Sequence, residues 1–132
     1  MAIDNELINE WKELADSDLK TAKLLISHKD FLHGIFHLQQ AIEKYLNRYY
    51  IINKQEQPPY IHNLSEIAKQ ADLFIALSEE HKDLLEGLTP YYIKARYPTY
   101  KKKMAITLDQ KRATEIQKTA EEFILWLENL KK

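Results

Sequence analysis

The stretch FLHGIFHLQQAIEKYLNRYYIIN, residues 31–53, decides the fold, because its apolar residues recur every three or four positions and do not alternate. Leu32, Ile35, Phe36, Leu38, Ala41, Ile42, Tyr45, Leu46, Tyr49 and Ile52 occupy more than one face of the helix that this spacing predicts. Asp30 stands where an N-cap is needed, and the helix should run from Phe31 to about Asn53. So broad an apolar surface belongs to a central helix, or to one that also meets a second subunit. Everything else in the chain must then supply the covering.

On the N-terminal side, Asp4 or Asn5 can cap a helix reaching about His28, with Leu7, Trp11, Leu14, Thr21 or Ala22, and Leu25 as its stripe. Asp18 falls inside that stripe, so if buried its carboxylate must be paired. On the C-terminal side, KQEQPPYIHN (residues 54–63) is a loop, since paired prolines forbid helix. A short helix follows from Leu64 to about Ala71, with Asn63 as its cap. Beyond a turn near Leu77, Ser78 opens a helix carrying Leu84, Leu85 and Leu88. Gly87 or Pro90 interrupts that helix before YYIKARY resumes it, and Pro98 ends it. Thr107 or Asp109 caps the last helix, striped by Ile116, Ala120, Phe123, Ile124, Leu127 and Leu130. The expected fold is all-α, an up-and-down bundle of four long helices plus one short helix, in a single domain over residues 1–132.

Composition agrees and narrows the function. Two glycines cannot build a phosphate-cradling loop, so any nucleotide must be held by side chains and helix ends. The lack of cysteine excludes disulfides, thiolate zinc sites and cysteine nucleophiles. No apolar run approaches the roughly 20 residues of a membrane span. The opening MAIDNELINEWKELAD is acidic where a signal peptide is basic, so a cytoplasmic location and no membrane are expected. The net charge of −1 conceals segregation: residues 91–112 sum to +6 and the remainder to −7, a division that could steer an anionic partner.

The candidate site residues follow from that basic stretch. Tyr91, Tyr92, Lys94, Arg96, Tyr97, Tyr100, Lys101, Lys102 and Lys103 are interleaved without an acid between 89 and 103. On a helix Tyr92 and Arg96 share a face, with Tyr97 and Tyr100 near enough to flank one pocket. Arginine grips phosphate with a planar fork, and tyrosine stacks on a base. The same residues also fit a core-and-loop role with Arg96 paired to Asp18, or a dimer contact. On the central helix, Gln39 with Glu43 and Gln40 with Lys44 form two i,i+4 pairs. With Asp18 and Arg96 they could make a satisfied network fixing helix register, and Gln40 and Lys44 could also line the Arg96 cleft. His62 either caps the third helix or reaches that cleft. His33 and His37 share a face, but with only His28 nearby no metal site is expected. Tyr60 beside the proline pair is either a recognition edge or part of a stiff loop.

Asp18 and Leu19 with Ala22 and Leu25, FHLQQAIEKYL (36–46), IHNLSEI (61–67) and ARYP (95–98) together resemble the HEPN family, from about Trp11 to Trp126. The resemblance implies a bundle of four to five helices, commonly a homodimer, found in prokaryotes beside or fused to minimal nucleotidyltransferases. Some members resemble nucleotide-binding modules; many are metal-independent ribonucleases of toxin–antitoxin and antiviral systems. That ribonuclease branch carries an arginine followed four to six residues later by a histidine. Here the first histidine after Arg48 is His62, and none follows Arg96 or Arg112. The expectation is therefore a non-catalytic nucleotide- or nucleic-acid-binding module that needs no cofactor and works with a separately encoded nucleotidyltransferase. Two alternatives stand beside it: an atypical metal-independent ribonuclease using Arg96 and His62 or a tyrosine, and a structural interaction module.

Overall fold

Helix α2, Phe31–Lys54, is the axis around which the other elements pack. The computed structural model describes residues 4–94 and 108–130, and among these every regular element is helical. The others are α1 (Asn5–Ser27), α3 (Leu64–Gln70), a 3-10 turn (Phe74–Ala76), α4 (Glu79–Leu88), α5 (Tyr91–Lys94) and α6 (Gln110–Glu128). Helices α1, α3, α4, α5 and α6 all touch α2. Its broad apolar surface is thus consumed inside the chain: Ile35, Leu38, Ala41, Ile42, Leu46 and Ile51 are fully buried. The long helices form the expected all-α up-and-down bundle. The 3-10 turn was not foreseen, since three residues carry no period.

The α1–α2 hairpin is drawn tight by a glycine. A Cβ built on Gly34 would lie 2.5 Å from Ile26 Cγ1 and 3.3 Å from the Ala22 carbonyl oxygen. The missing side chain at Gly34 makes room for Ile26, and the buried line of α1 runs through Ala15, Ala22 and Ile26. Leu14, placed in the stripe by spacing, is instead 54% exposed one position away from Ala15.

Helix starts follow the local code. Asp4 accepts from the Glu6 amide (3.0 Å), Asn63 from Glu66 (3.0 Å), Ser78 from His81 (3.1 Å) and Asp109 from Arg112 (2.8 Å), each satisfying a donor that the helix leaves unpaired. Asp30 holds the cap position of α2 without capping it, because its carboxylate takes His33 Nδ1 at 2.9 Å. Helix ends are less orthodox. Lys29, Gln55 and Asp72 adopt left-handed backbone with φ of 66°, 56° and 61°. After α1, the Lys29 amide donates to Ile26 and that of Asp30 to Leu25; after α3, Asp72 donates to Lys69 and Leu73 to Ala68. Both are Schellman turns without the usual glycine.

No described helix is long and apolar enough to cross a membrane.

Candidate functional site

The polar residues of α2 fall on one arc of the helix and divide into two hydrogen-bonded groups. The first ties α2 to α1. Asp18 receives Lys44 Nζ on one oxygen and faces His37 Nδ1 at 3.3 Å with the other. All three side chains are largely buried. The carboxylate that spacing placed in the apolar stripe is therefore paired, as its burial demands. One turn further, Tyr45 donates to Asp16, which also pairs with Lys12 at 3.1 Å. Burial and that bond to a carboxylate hold the Tyr45 hydroxyl far above its ordinary pKa.

The second group runs outward across three elements. Gln40 Nε2 donates to Gln39 Oε1 at 2.7 Å, and Gln39 Nε2 donates to Glu43 Oε1 at 3.0 Å and to the His62 carbonyl at 3.4 Å. Gln39 is fully buried, and these bonds occupy both heads of its amide. Glu43 accepts from His62 Nδ1 at 3.0 and 3.1 Å. A carboxylate only accepts, so the His62 proton sits on Nδ1 and the ring is fixed in orientation. Tyr92, on α5, lies flat on that ring with centroids 3.6 Å apart and planes 15° from parallel.

Gln39, Gln40, Glu43, His62 and Tyr92 therefore converge, and Lys44 lies alongside on the same arc of α2, where it meets Asp18 of α1. The expected Gln40–Lys44 pair does not form, because Gln40 turns to Gln39 and Lys44 to Asp18. His62 does not cap α3; Asn63 does, which frees the imidazole for Glu43. Arg96, Tyr97, Tyr100, Lys101, Lys102 and Lys103 lie outside the described residues, as do Pro98 and Thr107. Among the described residues no cluster of histidine and acid suits a metal ion; His33 pairs with Asp30 and His37 with Asp18.

Of two clefts, the first borders this arrangement and the second lies apart from it. One, of about 250 Å³, is lined by Trp11, Glu43, Asn47, the Pro58–Pro59 pair, Tyr60 and His62. Sequence reading missed Trp11 and Asn47 as site residues, since they stand 36 positions apart and carry no shared motif. The other, about 270 Å³ between α4 and α6, is lined by Leu84, Leu88, Tyr91, Arg112 and Ile116 and holds no member of either hydrogen-bonded group.

A family model described as HEPN domain matches residues 8–130. Among solved structures, the chain is similar to the crystal structure of TT1696 from Thermus thermophilus, at 21% identity and a TM-score of 0.76, over 92% of this chain and 95% of that one. At that identity the likeness concerns the fold alone. No curated protein matches the sequence.

Proposed function

The chain belongs to the HEPN domain family, and on that premise we propose that it is a non-catalytic nucleotide- or nucleic-acid-binding module. The observation that carries this reading is the Tyr92–His62–Glu43–Gln39–Gln40 chain. It fixes an aromatic stack four residues before Arg96 and nine before the Lys101 to Lys103 run in the sequence. In this reading Arg96 grips phosphate, Tyr97 or Tyr100 stacks on a base, and the three lysines supply long-range attraction. Tyr92, His62, Gln40 and Lys44 form the wall. The protein acts in the cytoplasm as a homodimer beside a separately encoded nucleotidyltransferase. Because α2 spends its apolar surface internally, the dimer uses other faces.

The test is a backbone NMR titration with ATP and, separately, with a short single-stranded RNA, at low and at higher salt. Saturable shifts at Tyr92, His62, Gln40 and Lys44 that weaken with salt are expected. Their absence with both ligands would reject the reading.

A second reading is favoured by one observation: the Glu43 carboxylate orients the His62 imidazole, as a general base requires. An atypical metal-independent ribonuclease would then use His62 for proton transfer and Arg96 for charge stabilisation. RNA cleavage that persists in a chelator and disappears in both His62→Ala and Arg96→Ala would establish it in place of the non-catalytic module.

A further inference from the structure

The Glu43–His62 pair also borders the 250 Å³ cleft under the diproline loop, and among the described residues Glu43 is the one acid in its lining. Glu43 offers a carboxylate with about four lone-pair sites, only part of which Gln39 and His62 occupy. Asn47, only 6% exposed, has an Oδ1 buried without a hydrogen-bond partner among the described residues. Leaving such an oxygen unpaired costs about 1–3 kcal/mol. Among the described residues no lysine or arginine lines the cleft, and the Nδ1 proton of His62 is already committed to Glu43.

The remaining walls are aromatic or stiff. Trp11 is half-buried in the cleft, and Tyr60 stands fully exposed beside Pro58 and Pro59. An aromatic held out on a proline-stiffened loop loses little freedom on meeting a partner, because the loop is already restricted. A carboxylate between a tryptophan and a tyrosine calls for a flat, donor-rich cation. A guanidinium has five donors in a planar fork and stacks on aromatic faces, whereas an ammonium is a compact point charge that does neither as well. A nucleotide would bring phosphates to a carboxylate, with no described cation in the cleft to meet them.

We propose that this cleft binds the arginine side chain of a partner polypeptide: Glu43 and Asn47 accept from the guanidinium while Trp11 and Tyr60 pack against its faces. The soft terminal torsion of asparagine lets Oδ1 turn to the ligand. A polypeptide is the source because Tyr60, fully exposed on the proline-stiffened loop beside the cleft, offers surface beyond one side chain. The proposal does not rest on the phosphate-binding reading above but shares the Glu43–His62 pair with it, so Tyr60→Ala, outside that reading, tells the two apart.

Trp11 and Trp126 are the two tryptophans, so a Trp126→Phe background makes Trp11 emission the reporter. Titration with N-acetyl-arginine amide should give a saturable change with a dissociation constant on the order of millimolar. The neutral isostere N-acetyl-citrulline amide should bind at least about tenfold more weakly. Glu43→Gln and Tyr60→Ala should each weaken arginine binding severalfold. Tyr60 is fully exposed, so that variant keeps its fold even if Glu43→Gln does not. No saturable change, equal binding of the citrulline derivative, indifference to Tyr60→Ala, or tighter binding of free arginine or adenosine would each overturn the proposal.

Discussion

The two glycines allow one substitution to be made twice with opposite expected outcomes. Neither has positive φ, and both lie within helices, so alanine suits the backbone at each. In a helix interior alanine is favoured over glycine by about 0.8–1.0 kcal/mol. At Gly87 a new methyl would meet nothing within 4 Å. Gly87→Ala should therefore stabilise, by about half the full propensity gain because it sits in the last turn. At Gly34 the methyl would arrive 2.5 Å from Ile26 Cγ1 and 3.3 Å from a backbone carbonyl. The first atom is a branch close to its own main chain and the second is main chain, so relief requires α1 and α2 to separate. Overpacking of this kind costs about 1–3 kcal/mol, and because Gly34 lies in the first turn of α2 only about half of the helix gain offsets it, which leaves a net loss of about 0.5–2.5 kcal/mol. For a chain of this size that is a fall in Tm of roughly 2–9 °C. Thermal unfolding followed by circular dichroism in the helical band, on both variants and the parent, measures it. A Gly34→Ala protein as stable as the parent, or shifts of the same sign in both variants, would show that the hairpin is not packed against its glycine.

Other outcomes can be read from side chains. Burial holds His81 below its ordinary pKa, against the opposing pull of Glu80 and Glu122, while its ring packs edge-on to Phe123. The unfolded chain takes up that proton first, so the stability His81 contributes is present above about pH 6.5 and lost as pH falls through the lowered folded value. Urea midpoints followed from mildly alkaline to mildly acidic pH should fall less steeply in His81→Asn than in the parent; parallel curves would discard the assignment. Asp18→Asn leaves Lys44 without its counter-charge in a largely buried setting and should cost about 1–3 kcal/mol. Adding Lys44→Met should recover part of that loss, because apolar replacement of both partners removes the orphaned charge. Strict additivity of the two changes in a double-mutant cycle would show that the pair does not interact.

Where the chain signals locally, sequence and structure agree. The breadth of the 31–53 stretch marks the central helix, and Asp4, Asn63, Ser78 and Asp109 mark starts because a short polar side chain can reach a free amide. Position within a stripe is another matter. Leu14 and Ala15 are neighbours in the chain, and only the packing of α1 against α2 decides which is buried. Asp18 announces that it needs a partner, for which the sequence offers Arg96 or a network that includes Lys44, and three-dimensional proximity selects Lys44 and, unforeseen, His37 among the described residues. Gln39, Glu43 and His62 stood out singly as polar groups near apolar runs, but the Glu43–His62 pair and the cleft beside it did not, because they join residues 19 positions apart across a loop. Trp11 and Asn47 did not, because each reads as an ordinary member of its helix.

The left-handed residues Lys29, Gln55 and Asp72 bear on how the chain would respond to being shortened. A side-chain-bearing residue loses about 1–2 kcal/mol in that backbone state, and without glycine nothing in the local code demands it. The reversals after α1, α2 and α3 are therefore imposed from a distance, by the surfaces that meet once the bundle closes. A fragment carrying α1 and its turn but not α2 would lose the reason to stop at Ser27, and its helix boundary would drift.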